Sequence, residues 1–459
     1  VFGPQADSVS AGGSVELYAK QVLDAIVADT GSATVLSATT VDAPVTAGQD
    51  ARVSALQNIG EQAPVTAEAG AAEIITPAQV LAPVSAGQDA TVIAGLEILA
   101  DVQAGHEAAV TTGRGLRGDV RAGRDLDLLV IGRFEGNAAF GTADDTDAVA
   151  TVTVAGDLIG NVGAFDDGGL AVDSHGTLEM TVAGSFHGDL AVQQKTLEPG
   201  PDSGDATVLV RDEIVGDLQA GQDLAVRCFW GDVRSTHIAA GRDLALDTLG
   251  SILLDGAITA GQDAALTALG TIDVPDGQTL TAGRDASVAT YDDEVQRVAI
   301  DAGRDVSLTL VGPLNDTDVA GGRNVSILAQ SELMDGPGIS ASTGPEGGMA
   351  EVTALAGILG VPIAGAAGVH LTAVASYLFG QIDAAGGPVE ALLGGPALLD
   401  GGIDAGSGGE ADVRVTAGDL FAGDITAGGS IELVSIGTCD GSLTAGGDVH
   451  AFVADDLGN

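Results

Sequence analysis

From Ala264 the chain reads AALTALGTIDV, with apolar side chains on one side at Ala264, Leu266 and Ala268, then at Ile272 and Val274. That is the two-residue period of a strand, not the 3.6-residue period of a helix. Gly270, Pro275-Asp276-Gly277 and Ala282-Gly283 interrupt the run, and each is a turn signal. The pattern therefore predicts two or three short strands joined by tight turns.

The stretch then returns: TAGQDAAL begins at Thr259 and TAGRDASV at Thr281. Its motif, Gly-x-Asp or Gly-x-Glu, usually after Ala, stands at Gly48-Gln49-Asp50, Gly87-Gln88-Asp89, Gly105-His106-Glu107 and Gly123-Arg124-Asp125. It recurs at Gly221-Gln222-Asp223, Gly241-Arg242-Asp243, Gly261-Gln262-Asp263, Gly283-Arg284-Asp285 and Gly303-Arg304-Asp305. Looser copies are Gly322-Arg323-Asn324 and Gly446-Gly447-Asp448. Adjacent copies lie 18 to 22 residues apart, so 459 residues hold about 23 repeats.

A unit this short cannot bury its apolar face alone; stacked on copies of itself, it can. The geometry that fits is a parallel β-helix, all-β, in which each repeat makes one coil and equivalent strands pair about 4.8 Å apart. Each coil is then the crossover that parallel strands require. The motif specifies a corner: Gly for a backbone angle that other residues resist, Asp to accept a backbone N–H at that corner, Ala to keep it small. Gly261, Gly283 and Gly303 are expected at equivalent corners, and Leu266, Val288 and Leu308, each five residues further on, in one inward stack.

The chain reads as one continuous β-helix over residues 1–459, best defined over 46–128 and 218–328, with looser, loop-bearing coils over 129–217 and 329–415. In the looser part GGMAEVTALAGILGVP, from Gly347, echoes AGQDAALTALGTIDVP, from Ala260. GVHLTAVASYLFGQI, from Gly368, echoes GRDLALDTLGSI, from Gly241, which puts His370 in the Asp position.

TAGQDAALTALGTI and AAGRDLALDTLGSI resemble the repeats of filamentous haemagglutinin-like bacterial surface exoproteins. The resemblance is good over Thr46 to Leu128 and Leu218 to Leu328 and looser elsewhere. It implies a right-handed parallel β-helix, an extracellular or cell-surface location, and an adhesive or structural role, with a host surface or polysaccharide as partner. Two features depart from that pattern: no amino-terminal secretion domain is recognisable, and the chain is unusually acidic.

The acidity narrows the partners. Asp and Glu number 65 against 17 Lys plus Arg, a net charge of −48, and Lys20 and Lys195 are the only lysines. Nothing resembles a basic stripe, so nucleic acid is excluded as a partner, and an anionic membrane surface is a poor one. No run of about 18 uninterrupted apolar residues predicts membrane insertion. The amino-terminal VFGPQADSVSAGG is not composed like a signal peptide. Cys228 and Cys439, 211 residues apart, read as two buried small residues rather than as a disulfide framework or metal motif. Ordinary repeat sequence runs close to both termini, which points to self-association with neighbouring copies or to a longer solenoid.

Candidate chemistry follows from the stacking. An Asp column of Asp243, Asp263, Asp285 and Asp305 would place like charges about 4.8 Å apart. Arg at the motif's middle position, in Arg124, Arg242, Arg284, Arg304 and Arg323, supplies a counter-ladder. Calcium, a hard cation that takes carboxylate oxygen, is the alternative neutraliser; no other cofactor is implied. Asp144-Asp145-Thr146-Asp147, Asp166-Asp167 and Asp292-Asp293-Glu294 match no calcium-loop spacing and read as solvated loops.

The rival class is a carbohydrate-active β-helix enzyme: a lyase, hydrolase or epimerase. Such an enzyme needs converging carboxylates or a base in a sugar groove. Six histidines are scattered along the chain, at His106, His175, His187, His237, His370 and His450. The densest polar-aromatic patch is Arg227, Phe229, Trp230, Asp232, Arg234 and His237. No phosphate loop, His-Glu-x-x-His or nucleophile elbow appears, and the chain is read as non-enzymatic.

Overall fold

The computed structural model describes residues 8–141, 148–163, 176–192, 204–274, 278–334, 336, 338–341, 348–374, 378–385, 387–399, 401–406 and 410–454. These fall in two compact units, Val1–Gly231 and Asp232–Asn459. Among the described residues both contain strands and no helix, and the strands pair in parallel. The fold is a β-solenoid of about 20 turns.

Each full coil has three strands, and each strand continues a ladder from coil to coil. A pre-corner strand such as Ile258–Ala260 pairs with Thr279–Ala282. After the Gly corner comes a long strand of five to seven residues, such as Ala264–Ala268, which pairs with Ala286–Thr290. A turn then leads to a short post-strand segment, Ile272–Asp273, paired with Val295–Gln296. Early in the first unit this third ladder is reduced to single bridges, Val22 to Val41 to Ile59 to Val80 to Ile98.

Alternation decides what is inside. Ala264, Leu266 and Ala268 are buried, while Ala265 is exposed and Thr267 half-buried. Leu266 pairs in register with Val288, and Val288 with Leu308; all three are buried. The column continues through Ile327, Val352 and Leu371. Small and branched aliphatic side chains fill a thin interior, which suits a chain with 3% aromatic residues. Phe134, Phe140 and Phe186 are the large exceptions.

The last inward position of the long strand is often polar and small. Ser37 Oγ donates to the carbonyls of Lys20 and Thr40, at 3.1 and 2.9 Å. Thr112 Oγ1 donates to Leu96 and Gly115, at 2.6 and 3.0 Å. Each hydroxyl ties the following turn to its own coil and to the coil before. Cys228 takes the same place, its thiol 3.4 Å from the carbonyls of Asp212 and Gly231. Both cysteines are buried and unbridged.

Register in the looser region differs from the sequence echo. Val352, aligned above with Ala265, stands in the Leu266 column, a shift of one residue. His370, aligned with Asp243, sits beside Glu351 and Glu390 on the outer face of the long strand, a shift of two. The apolar pattern sets the register: a one-residue slip would turn Val352 and Leu371 out to solvent.

Candidate functional site

The corner column of the second unit is tied from coil to coil by backbone and side-chain bonds. The amides of Gly283 and Gly303 donate to Ala260 and Ala282 of the preceding coils, at 3.0 and 2.9 Å. Those of Arg284 and Arg304 donate to Gln262 and Arg284, at 2.8 and 2.7 Å. Gly261, Gly283 and Gly303 therefore occupy one column. Their backbones lie outside the left-handed region. The glycine is needed because of what lies beneath. A Cβ at Gly283 would stand 2.1 Å from the Gly261 carbonyl oxygen, and one at Gly303 2.3 Å from that of Gly283. This corrects the expectation that the corner Gly supplies an unusual backbone angle.

The corner Asp also bonds differently from the expectation. It reaches the next coil rather than its own corner. Asp243 accepts the Asp263 amide at 3.1 Å, Asp263 the Asp285 amide at 3.3 Å, and Asp285 the Asp305 amide at 3.2 Å. Asp305 accepts the Asn324 amide at 3.2 Å. The other carboxylate edge faces arginine: Arg284 clasps Asp263 through Nε and Nη2, Arg304 clasps Asp285, and Arg323 clasps Asp305. These forks relieve the stacking of like charges. Hydrogen bonds from Arg284 and Arg323 hold Asp263 and Asp305 below the usual carboxylate range.

In the first unit Gly48, Gly87 and Gly123 occupy the same kind of corner, each with a carbonyl of the preceding coil under it. The Gly221 amide donates to Val192 at 2.6 Å. Asp50, Asp89 and Asp125 accept the amides of Ala71, Glu107 and Val149 in the next coil, at 3.0, 3.2 and 2.8 Å. The Asp223 amide donates to Asp205 at 3.1 Å. Gly241, in the second unit, precedes Arg242, whose Nε is 3.7 Å from Asp243.

A second ladder in the first unit was not read from the sequence. Gly118, Gly136, Gly160, Gly188 and Gly216 have φ between +136° and +155°, where glycine is favoured. Each precedes an Asp or Asn. Asp119 accepts the Asn137 amide at 2.9 Å, Asn137 that of Asn161 at 3.1 Å, Asn161 that of Asp189 at 2.9 Å, and Asp189 that of Asp217 at 3.0 Å. The signal was present as Gly-Asp or Gly-Asn before an apolar residue, in RGDV, EGNA, IGNV, HGDL and VGDL.

The remaining candidates are dispersed. Arg227, Phe229 and Trp230 belong to the first unit, where the Arg227 guanidinium stands 5.7 Å from the Phe229 ring centroid and Trp230 is 72% exposed. Asp232, Arg234 and His237 belong to the second; Arg234 meets Asp232 at 3.0 Å and the His237 amide donates to Ser235. His106, His187 and His370 stand 3.5, 3.2 and 3.2 Å from Asp89, Glu213 and Glu390. Asp293 accepts the Thr271 hydroxyl at 2.8 Å, and Glu294 the Asn315 amide group at 2.6 Å. The clusters at Asp144–Asp147 and Asp166–Asp167, and His175, lie outside the described residues. Among the described residues no three His, Cys, Asp or Glu side chains are placed to hold a metal ion, and no helix is long and apolar enough to cross a membrane.

Fold and ladders together define the class: an acidic parallel β-solenoid repeat protein. No family model matches the chain, and neither a curated protein nor a solved structure is similar to it.

Proposed function

We propose that this chain is a non-enzymatic structural or adhesive protein of the cell exterior, working through its repeated outer faces. One observation carries the reading: the chemistry is distributed coil by coil. Corner carboxylates recur in both units, and arginine forks in three successive coils of the second. A surface built this way offers many equal weak contacts, which is how a scaffold or adhesin gains avidity. The likeness of the repeats to haemagglutinin-type exoproteins supports the same reading. Its acidity suits a high-salt or calcium-rich exterior, where the self-repulsion of 48 net negative charges is screened.

Association with other copies belongs to this reading. Unpaired strand edges recruit strands from neighbours.

The test sets adhesion against turnover. Purified protein would be applied to immobilised polysaccharides and whole cells, and the same polysaccharides assayed for new reducing ends and unsaturated uronates. Retention without bond cleavage is the expected result. Catalytic cleavage or epimerisation of any of them would overturn the non-enzymatic reading.

A further inference from the structure

The turn that follows the long strand carries a second column, and over four coils of the second unit its outward residues are apolar. Leu249, Leu269 and Tyr291 are 47%, 40% and 55% exposed, and Val311 is half-buried. They stand in four consecutive coils. Their stacking is fixed by backbone bonds: Leu269 N to Thr248 O at 3.0 Å, Tyr291 N to Ala268 O at 3.2 Å, Val311 N to Thr290 O at 3.1 Å. The result is a continuous apolar ridge of three steps, about 14 Å long at the spacing of paired strands. Nothing in coil packing needs it, because the interior is already filled by the Leu246, Leu266, Val288 and Leu308 column.

The charged residues next to the ridge in sequence, Asp247 before Leu249 and Asp292 and Asp293 after Tyr291, are acidic. Asp292 and Asp293 follow Tyr291 and are exposed. The seven arginines of this unit are engaged elsewhere: Arg234, Arg242, Arg284, Arg297, Arg304, Arg323 and Arg414 each have a carboxylate within reach. The unit contains no lysine. An apolar strip set in acidic surroundings is complementary to an apolar strip set in basic ones.

We infer that this ridge docks a cationic amphipathic helix of a partner protein or peptide. The spacing favours a helix over a strand. Apolar side chains three and four apart on a helix recur every 5–6 Å or so, close to the coil step of about 4.8 Å. Alternate residues of an extended strand recur at about 6.6 Å and fall out of step. About ten helical residues span the ridge. Lysines or arginines beside the apolar stripe then meet Asp292 and Asp293. This docking is independent of whether the outer faces adhere to cells or polysaccharide.

The test uses the full chain and a synthetic Lys/Leu peptide of about 14 residues, patterned as an amphipathic helix, with fluorescence anisotropy as the readout. Two controls accompany it: the same composition scrambled to lose its apolar stripe, and oligolysine of equal charge. The patterned peptide is expected to bind at least about tenfold more tightly than either, and to gain helical circular dichroism on binding. The double variant Leu269→Ser, Tyr291→Ser is expected to lose about tenfold in affinity with unchanged strand circular dichroism. Phe421→Ser, at an exposed apolar position outside the ridge, is expected to change nothing. Equal binding of all three peptides would reduce the interaction to bulk charge and overturn the proposal. Retained binding by the double variant would also overturn it, as would a scattering increase showing that a second copy of the chain occupies the ridge instead.

Discussion

Gly283→Ala separates two reasons for a glycine. If the corner needed an unusual backbone angle, the cost would be strain; here the backbone is ordinary and the obstacle is the coil beneath. The new methyl carbon would lie 2.1 Å from the Gly261 carbonyl oxygen. A normal contact is about 3.5 Å, so the two coils must part by about 1.4 Å at this corner. The bonds from Gly283 N to Ala260 O, 3.0 Å, and from Arg284 N to Gln262 O, 2.8 Å, then stretch past the useful range. Two backbone hydrogen bonds at about 1 kcal/mol each, with added overpacking strain of about 1–3 kcal/mol, set the loss. Reduced freedom of the unfolded chain returns about 0.4–1 kcal/mol. The net is about 2–4 kcal/mol, felt locally because a solenoid opens coil by coil. Hydrogen exchange at Gly283, Arg284 and Gly303 reads it directly, and about 30- to 1,000-fold faster exchange is expected. Gly12→Ala is the control, since a Cβ there meets nothing within 4 Å. Equal exchange in the two variants would refute the contact argument.

Leu266→Ala empties part of a buried column between Leu246 and Val288, at a cost of about 2–5 kcal/mol; a denaturation midpoint unchanged by it would contradict the inward assignment. Because their folded pKa values are depressed, Asp263 and Asp305 contribute stability that is present above the unfolded value, near pH 4, and lost as pH falls through the folded values. Acid melts of Arg284→Ala should show part of that pH dependence gone; an unchanged profile would mean the fork is idle. Asn137→Ala deprives the Asn161 amide of its acceptor and Asp119 of a donor at 3.0 Å, and should cost about 1–2 kcal/mol, read as faster exchange at Asn161. Melting temperature should rise with NaCl, and more with calcium at equal ionic strength if the carboxylate ladders collect it; a flat response to both would remove self-repulsion as a main term.

The inward residues were legible because alternation is a local signal, and Leu266, Val288 and Leu308 could be placed from it. The reason for Gly283 was not, because its decisive contact is with a carbonyl 22 residues earlier. The same holds for Asp263, whose acceptor role is fulfilled one coil further on. In the looser stretch, matching by residue identity misplaced Val352 and His370, whereas matching by apolar rhythm would have placed both. The Asn and Asp ladder from Asp119 to Asp217 was overlooked because its glycines precede a less conspicuous motif. The exposed ridge from Leu249 to Val311 was hidden for a simpler reason. A leucine before Gly reads as one more apolar residue until the turn is seen to face outward.

Coil-to-coil bonding also has a mechanical side. The backbone bonds of the three ladders, and the Arg–Asp forks, run from one coil to the next within each unit. A pull along that direction loads all bonds of one coil boundary side by side, and the boundaries one after another. The yield point is then the thinnest boundary. In the first unit those are the early coils, where Val22, Val41, Ile59 and Val80 hold the third face by single bridges while later coils use strands such as Arg133–Glu135. Under tension those coils give way first, and the chain lengthens in steps of about one coil while the coils further along hold.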